Sequence, residues 1–127
     1  MSASTTAAAT ESAINIIQLI GRINAIGEPK VLPSGASVVT MRLVVPRVAS
    51  AADRGARRAT VDTIELACWS AATRRGAERL TVGDQVSVEG ALRHRYFRTG
   101  PALQSRYEVE VATIRTMPAA RSGATGT

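Results

Sequence analysis

Apolar residues crowd the chain from Ile14 to Ile26 in a β-rich run interrupted by Gly21, which predicts a long first strand bent at that glycine. Leu32-Pro33-Ser34-Gly35 then brings turn residues in succession. From Val38 to Val45 the alternation is clean, with Val39, Met41, Leu43 and Val45 on one face and Thr40 and Arg42 on the other. Residues 46–60, rich in Pro, Arg, Ala, Ser, Asp and Gly, read as a loop with Arg54, Arg57 and Arg58 near its end. A third strand is expected at about 60–69, where Ile64, Leu66 and Cys68 share a parity. Ser70 to Leu80 suits a short helix with Ser70 as its N-cap, although Gly76 weakens the helical propensity. Thr81-Val82-Gly83-Asp84 turns the chain into a fourth strand with Val86, Val88 and Leu92 on the core parity. Arg98 to Ser105, holding Gly100-Pro101, reads as a flexible hairpin tip, and Tyr107, Val109 and Val111 mark a fifth strand.

Three strands, a helix, then two strands is the element order of an all-β, five-stranded OB barrel with one short helix between strands 3 and 4. Other small barrels share that order. The first 13 residues are mostly Ser, Thr and Ala, and residues 118–127 are Pro, Ala, Ser, Gly and Thr with one Arg. Neither end can bury much, so both are expected to be disordered tails around one folded body at 14–117. A chain of 127 residues has room for one domain with a modest core.

Charge narrows the choice of partner. Sixteen basic residues against ten acidic give +6, and every basic residue except Lys30 is Arg. Such a balance favours nucleic acid or an anionic membrane surface, although a coding bias toward Arg and Ala would give the same totals. The single Cys68 excludes an internal disulfide, and with only His94 beside it a protein-made zinc or iron site is excluded too. Neither metal nor cofactor is expected. Met1 to Ala13 has no basic residue and no long apolar core, so it does not read as a signal peptide. No stretch nears the roughly 20 apolar residues of a membrane span, and a soluble, cytoplasmic protein is expected.

Catalysis finds little support. Cys68 and His94 form the one candidate nucleophile–base pair, and the parity of Cys68 makes it a buried small hydrophobe instead. Asp62, Glu65, Glu108 and Glu110 alternate with apolar residues, as solvent-facing strand positions do. With no phosphate-cradling Gly-rich loop, the chain is not expected to be an enzyme.

Two stretches carry chemistry. Continuing the parity of the fourth strand places Arg93, Arg95 and Phe97 together on the face opposite the core. An aromatic ring beside two guanidinium groups suits single-stranded nucleic acid, the arginines meeting phosphate and the ring meeting a base. Trp69 falls opposite Ile64, Leu66 and Cys68, with Arg74 and Arg75 close behind. Trp69 either stacks on bases or caps the barrel, and Phe97 either stacks or closes a protein interface. Tyr96 and Tyr107 share core parities and are expected to pack.

At this point the residues resemble a known family. Asn15-Ile16-Ile17-Gln18-Leu19-Ile20-Gly21-Arg22-Ile23 resembles the opening strand of bacterial single-stranded DNA-binding proteins. Leu32-Pro33-Ser34-Gly35 followed by Met41-Arg42-Leu43 is similar to that family's turn and second strand. Leu80-Thr81-Val82-Gly83-Asp84-Gln85-Val86-Ser87-Val88-Glu89-Gly90-Ala91-Leu92-Arg93 is similar to its most recognisable motif, and Tyr107-Glu108-Val109-Glu110-Val111 to its last strand. The resemblance implies an OB fold, a homotetramer with first strands paired across a dimer interface, and DNA laid along basic grooves. It implies stacking on Trp69 and Phe97, with Arg22, Lys30, Arg42, Arg93 and Arg95 on the basic surface, and Arg74 and Arg98 join the candidate set. Ala49 and Thr63 stand where relatives often carry further aromatics, which implies weaker, more salt-dependent binding. The chain ends at Gly123-Ala124-Thr125-Gly126-Thr127 with no acidic, Phe-terminated tip of the kind through which the family's main replication proteins recruit partner enzymes, so that recruitment is not expected and the resemblance points to an accessory paralogue.

The expectation is a cytoplasmic, nucleoid-associated protein that coats exposed single strands during replication, repair, recombination or DNA uptake. Two rivals stay open: an RNA-binding or primosome-type OB protein, and a paralogue that modulates another protein by hetero-oligomerisation.

Overall fold

A computed structural model describes residues 11–47 and 60–118. Most of both expected tails, and the loop with Ala49, Arg54, Arg57 and Arg58, lie outside the described residues. The elements in chain order are β1 (Ile17–Ile26), β2 (Lys30–Val31), β3 (Ser37–Pro46), β4 (Val61–Cys68), α1 (Ala71–Glu78), β5 (Gln85–Thr99) and β6 (Ala102–Thr116). Among the described residues no helix is long and apolar enough to cross a membrane.

The long strands close on themselves. β1 pairs β5, β5 pairs β6, β6 pairs β4, β4 pairs β3, and β3 returns to β1. All of these pairings are antiparallel except β4–β6, where Leu66 faces Val109 and Ala67 faces Glu110. The result is a five-stranded OB barrel, with β2 added to the edge of β3. Because the two-residue β2 was not expected, the helix falls between the fourth and fifth strands by count. Among the five barrel strands it sits between the third and fourth.

β1 can serve two neighbours because it bends. Its first half pairs β5 up to Arg22 opposite Gln85, and its second half pairs β3 from Arg22 opposite Val44. Gly21 lies at the crossing, where any Cβ would strike the Val44 carbonyl. That close approach is why the bend falls on a glycine.

The core follows the expected parity through most of the barrel. Ile23, Val39, Met41, Leu43, Leu66, Cys68, Val86, Val88, Val109 and Val111 are buried in one cluster, with Ala77 of the helix against them. Ser70 caps α1 as expected, its hydroxyl accepting from the Thr73 amide at 3.1 Å. The Thr81–Asp84 turn locks onto β1, Gly83 donating to the Ile23 carbonyl at 2.8 Å and Ile23 donating to Asp84 at 2.9 Å.

β5 and β6 run past the barrel, and there the expectation needs correcting. They stay paired from Val86 opposite Thr116 to Thr99 opposite Ala102, so the tip is Gly100-Pro101 alone rather than Arg98 to Ser105. Gly100 has φ 61°, and a positive φ followed by the fixed negative φ of Pro is what a type II′ hairpin turn requires. Leu92, expected in the core, is 43% exposed because the strand leaves the barrel at that point. Tyr96 and Tyr107 lie further out and do not pack the core: they are 65% and 61% exposed.

Candidate nucleic-acid interface

Strand alternation sorts the projecting hairpin into two faces. Arg93, Arg95 and Phe97 share one of them, opposite Glu108, Arg106 and Gln104 of β6. Trp69, in the extended step between β4 and α1, meets this face: the Arg95 guanidinium lies 4.9 Å from the centre of its indole. Farther out, Arg106 lies 5.2 Å from the centre of the Phe97 ring. Each aromatic therefore carries one guanidinium in cation–π contact.

One carboxylate connects the two pairs. Glu108 is only 5% exposed. Its Oε2 accepts from Arg95 Nε at 2.8 Å, and its Oε1 stands 3.7 Å from Arg106 Nε. Glu110 extends the network, accepting from Arg93 Nε at 2.9 Å and from Arg95 at 3.3 Å. Sequence alternation marks Glu108 as solvent-facing, but Arg95 of β5, two residues along from its register partner, and Arg106 of β6 hold its carboxylate between them. A carboxylate that deep is tolerated only because it is paired and hydrogen-bonded.

Together these residues wall a groove of about 280 Å³ between the hairpin, β2 and β3. Trp69, Arg95, Phe97, Arg106 and Glu108 line it together with Lys30 and, at its edge, Tyr96, and Leu32, Val38 and Thr40 complete the lining. A shallower hollow of about 500 Å³ lies beyond, bounded by Asn15, Arg93 and Glu110. The Arg93–Glu110–Arg95 network forms the shared wall. An extended polyanion with flat bases fits such a path: cations for phosphates and aromatic rings for bases.

The other expected residues are placed differently. Arg74 donates to the carbonyls of Trp69 and Ser37, so it pins the Trp69 backbone from behind. Arg42 pairs with Glu65 at 2.8 Å on the outer face of β3. Arg22 donates to the Gly83 carbonyl at 2.9 Å, at the end of the barrel away from the hairpin. Arg98 sits near the hairpin tip on the opposite face, across from Leu103, and donates to the Pro101 carbonyl at 3.4 Å. The indole Nε1 of Trp69 is buried and finds no acceptor among the described residues.

Arg106 and Glu108 escaped sequence reasoning. The available signal was register: with the Gly100-Pro101 turn taken as the tip, counting back along both strands puts Arg95 opposite Arg106. Cys68 is buried, and its side chain hydrogen-bonds Thr73, whereas the His94 ring lies on the exposed hairpin between Tyr96 and Tyr107.

Comparisons with known proteins agree on the architecture. A single-stranded DNA-binding protein of Plasmodium falciparum, solved in complex with single-stranded DNA, superposes with a TM-score of 0.68 at 21% identity. The match covers 84% of this chain and 97% of that one. A small single-stranded DNA-binding protein from Streptomyces coelicolor superposes with a TM-score of 0.57 at 22% identity, covering 82% of this chain and 94% of its own. Identities this low show the fold. No curated protein matches the chain by sequence. The model of the single-strand binding protein family, whose members are non-enzymatic DNA-binding proteins, matches residues 14–117. With most of its length matched by that model, the chain belongs to the single-strand binding protein family.

Proposed function

We propose that this protein binds single-stranded DNA without sequence preference, bases stacking on Trp69 and Phe97 while Lys30, Arg93, Arg95 and Arg106 meet the phosphates. The observation that carries this reading is the pairing of the half-buried Trp69 ring and the exposed Phe97 ring each with a guanidinium along one open groove. A stacking face accepts any base, because every base has a π face, and each stacked base contributes roughly 1–3 kcal/mol. The arginines attract the backbone by charge and release its counterions on contact. Arg98 can reach the strand near the hairpin tip, and Arg42 lies one step along β3 from the groove-lining Thr40. Arg22 and Arg74 hold backbone carbonyls and support the site through the fold.

The same reading has copies of the chain assembling, as a homotetramer, and coating exposed strands in replication, repair, recombination or uptake at the cytoplasmic nucleoid. Family membership supports the assembly, and so do the exposed apolar side chains of Ile14, Ile16 and Ile20 along and just before β1. Sedimentation of the full chain measures the assembly directly.

The functional test is a titration with fluorescent oligo-dT at low and high salt, with Trp69 as internal reporter. Trp quenching, a steep salt slope, and losses of roughly 5- to 150-fold in both Trp69→Ala and Phe97→Ala are expected. Absence of binding at low salt would refute the reading. A matched RNA competitor that displaces DNA at equal concentration would shift the assignment to RNA.

A further inference from the structure

The second face of the projecting hairpin holds an aromatic array that touches the groove only through Tyr96 at its edge. On β5 and β6 the residues alternating with the arginine face are Leu92, His94, Tyr96 and Arg98, opposite Val109, Tyr107, Ser105 and Leu103. The His94 ring stacks on Tyr107 with centroids 4.4 Å apart and planes inclined by 11°. It also leans on Tyr96 at 4.6 Å and 45°. Both tyrosines are exposed, and Leu92 and Leu103 extend the apolar strip on either side. A contiguous patch of this kind on a two-stranded arm marks a binding surface more often than bare solvent contact.

From this we infer that His94, Tyr96 and Tyr107 form a second base-stacking platform for single-stranded DNA, which passes around the hairpin from the groove. The inference rests on the single-stranded DNA reading above. Charge favours this occupant. The face carries no carboxylate and offers Arg98 beside Tyr96, whereas the groove face holds Glu108 and Glu110. Geometry favours it as well. The hairpin is two strands wide, about 5 Å between neighbouring strands, so a strand leaving Phe97 reaches the other face within a few nucleotides. Flat π surfaces next to a cation, continuous with a groove of the same chemistry, suit bases and phosphates.

The test uses the full chain with two oligo-dT lengths, about 6 and about 30 nucleotides, chosen to fill the groove alone or to pass it. His94→Ala/Tyr107→Ala, which spares every groove-lining residue, is compared with wild type by Trp69 quenching, and melting curves establish that the variant folds. Wild-type protein is also photo-crosslinked to 5-iododeoxyuridine-substituted oligo-dT of the longer length and the adducts are mapped. The expected result is unchanged affinity for the short strand, a loss of about fivefold or more for the long one, and adducts on Tyr107. Variant affinities equal to wild type at both lengths, with adducts confined to Trp69, Tyr96 and Phe97, would overturn the second platform and leave the groove reading intact. A change in sedimentation of the unliganded variant would assign the face to contact between copies and overturn the inference. Failure of wild type to bind either length would remove both.

Discussion

Replacing Glu108 by Gln separates what the buried carboxylate does for the fold from what it does to the DNA. The substitution keeps the shape and removes the charge facing Arg95 Nε at 2.8 Å and Arg106 Nε at 3.7 Å. A charge-assisted hydrogen bond contributes about 1.5–3 kcal/mol, but the Gln carbonyl can still accept, and Arg95 keeps its second carboxylate, Glu110, at 3.3 Å. The Arg106 pair is long and half-exposed, so it adds between zero and about 1 kcal/mol. The net expectation is a destabilisation of about 1–2 kcal/mol, a drop in Tm on the order of 5–10 °C for a domain of this size. Binding should change in the opposite sense. The ionised residues lining the groove are Lys30, Arg95, Arg106 and Glu108, so losing the carboxylate raises their net charge by one. Affinity for oligo-dT should rise about two- to fivefold at low salt and converge with wild type at high salt. The slope of log affinity against log salt should steepen by up to about 0.7. Thermal melts and titrations at several salt concentrations read the two effects separately. An unchanged Tm would refute the pairing, and weaker binding at every salt concentration would refute the charge argument, making Glu108 a residue that positions the rings.

Further outcomes follow from the fold. Gly90→Ala should prevent folding or cost several kcal/mol in a chemical melt, because its Cβ would run into the Glu110 carbonyl, a backbone atom that cannot swing away. Ser70→Ala should lower stability by about 1 kcal/mol, read as a Tm shift of about 4–8 °C, by removing the cap on the Thr73 amide. Burial pushes the Cys68 thiol up from 9.0 to about 11, with the Thr73 hydrogen bond opposing. The folded state therefore holds the thiol proton more tightly than the unfolded chain does, so this stability is fully present below pH 9 and is lost as pH rises toward 11. Denaturant melts across that window should show the loss in wild type, and Cys68→Ala should flatten it.

How much of this was legible depended on whether a barrel stood behind each strand. Period-two alternation located Val39, Met41, Leu43, Leu66, Cys68, Val86 and Val88 because each has opposing strands to be buried against. The same count continued past Leu92 misled, since Tyr96 and Tyr107 keep the inward parity where nothing lies inward. Trp69 and the Arg93–Arg95–Phe97 face were readable within single strands. The Glu108 link was not, because it is made by cross-strand register and two covering arginines rather than by the pattern of any one segment. β2, at two residues, is too short for periodicity to register.

The parallel β4–β6 pairing also governs how the chain can fold. The ring closes only when Val109 and Glu110 reach Leu66 and Ala67. On a ribosome, β4 and β5 must therefore wait for the final strand with their hydrogen-bonding edges open to other chains. Contacts so distant in sequence, such as Ile17 with Gly90, place the domain among slow, millisecond-to-second folders. A chain stopped before residue 102 lacks β6 altogether, and aggregation through the bare edges of β4 and β5 is its expected fate.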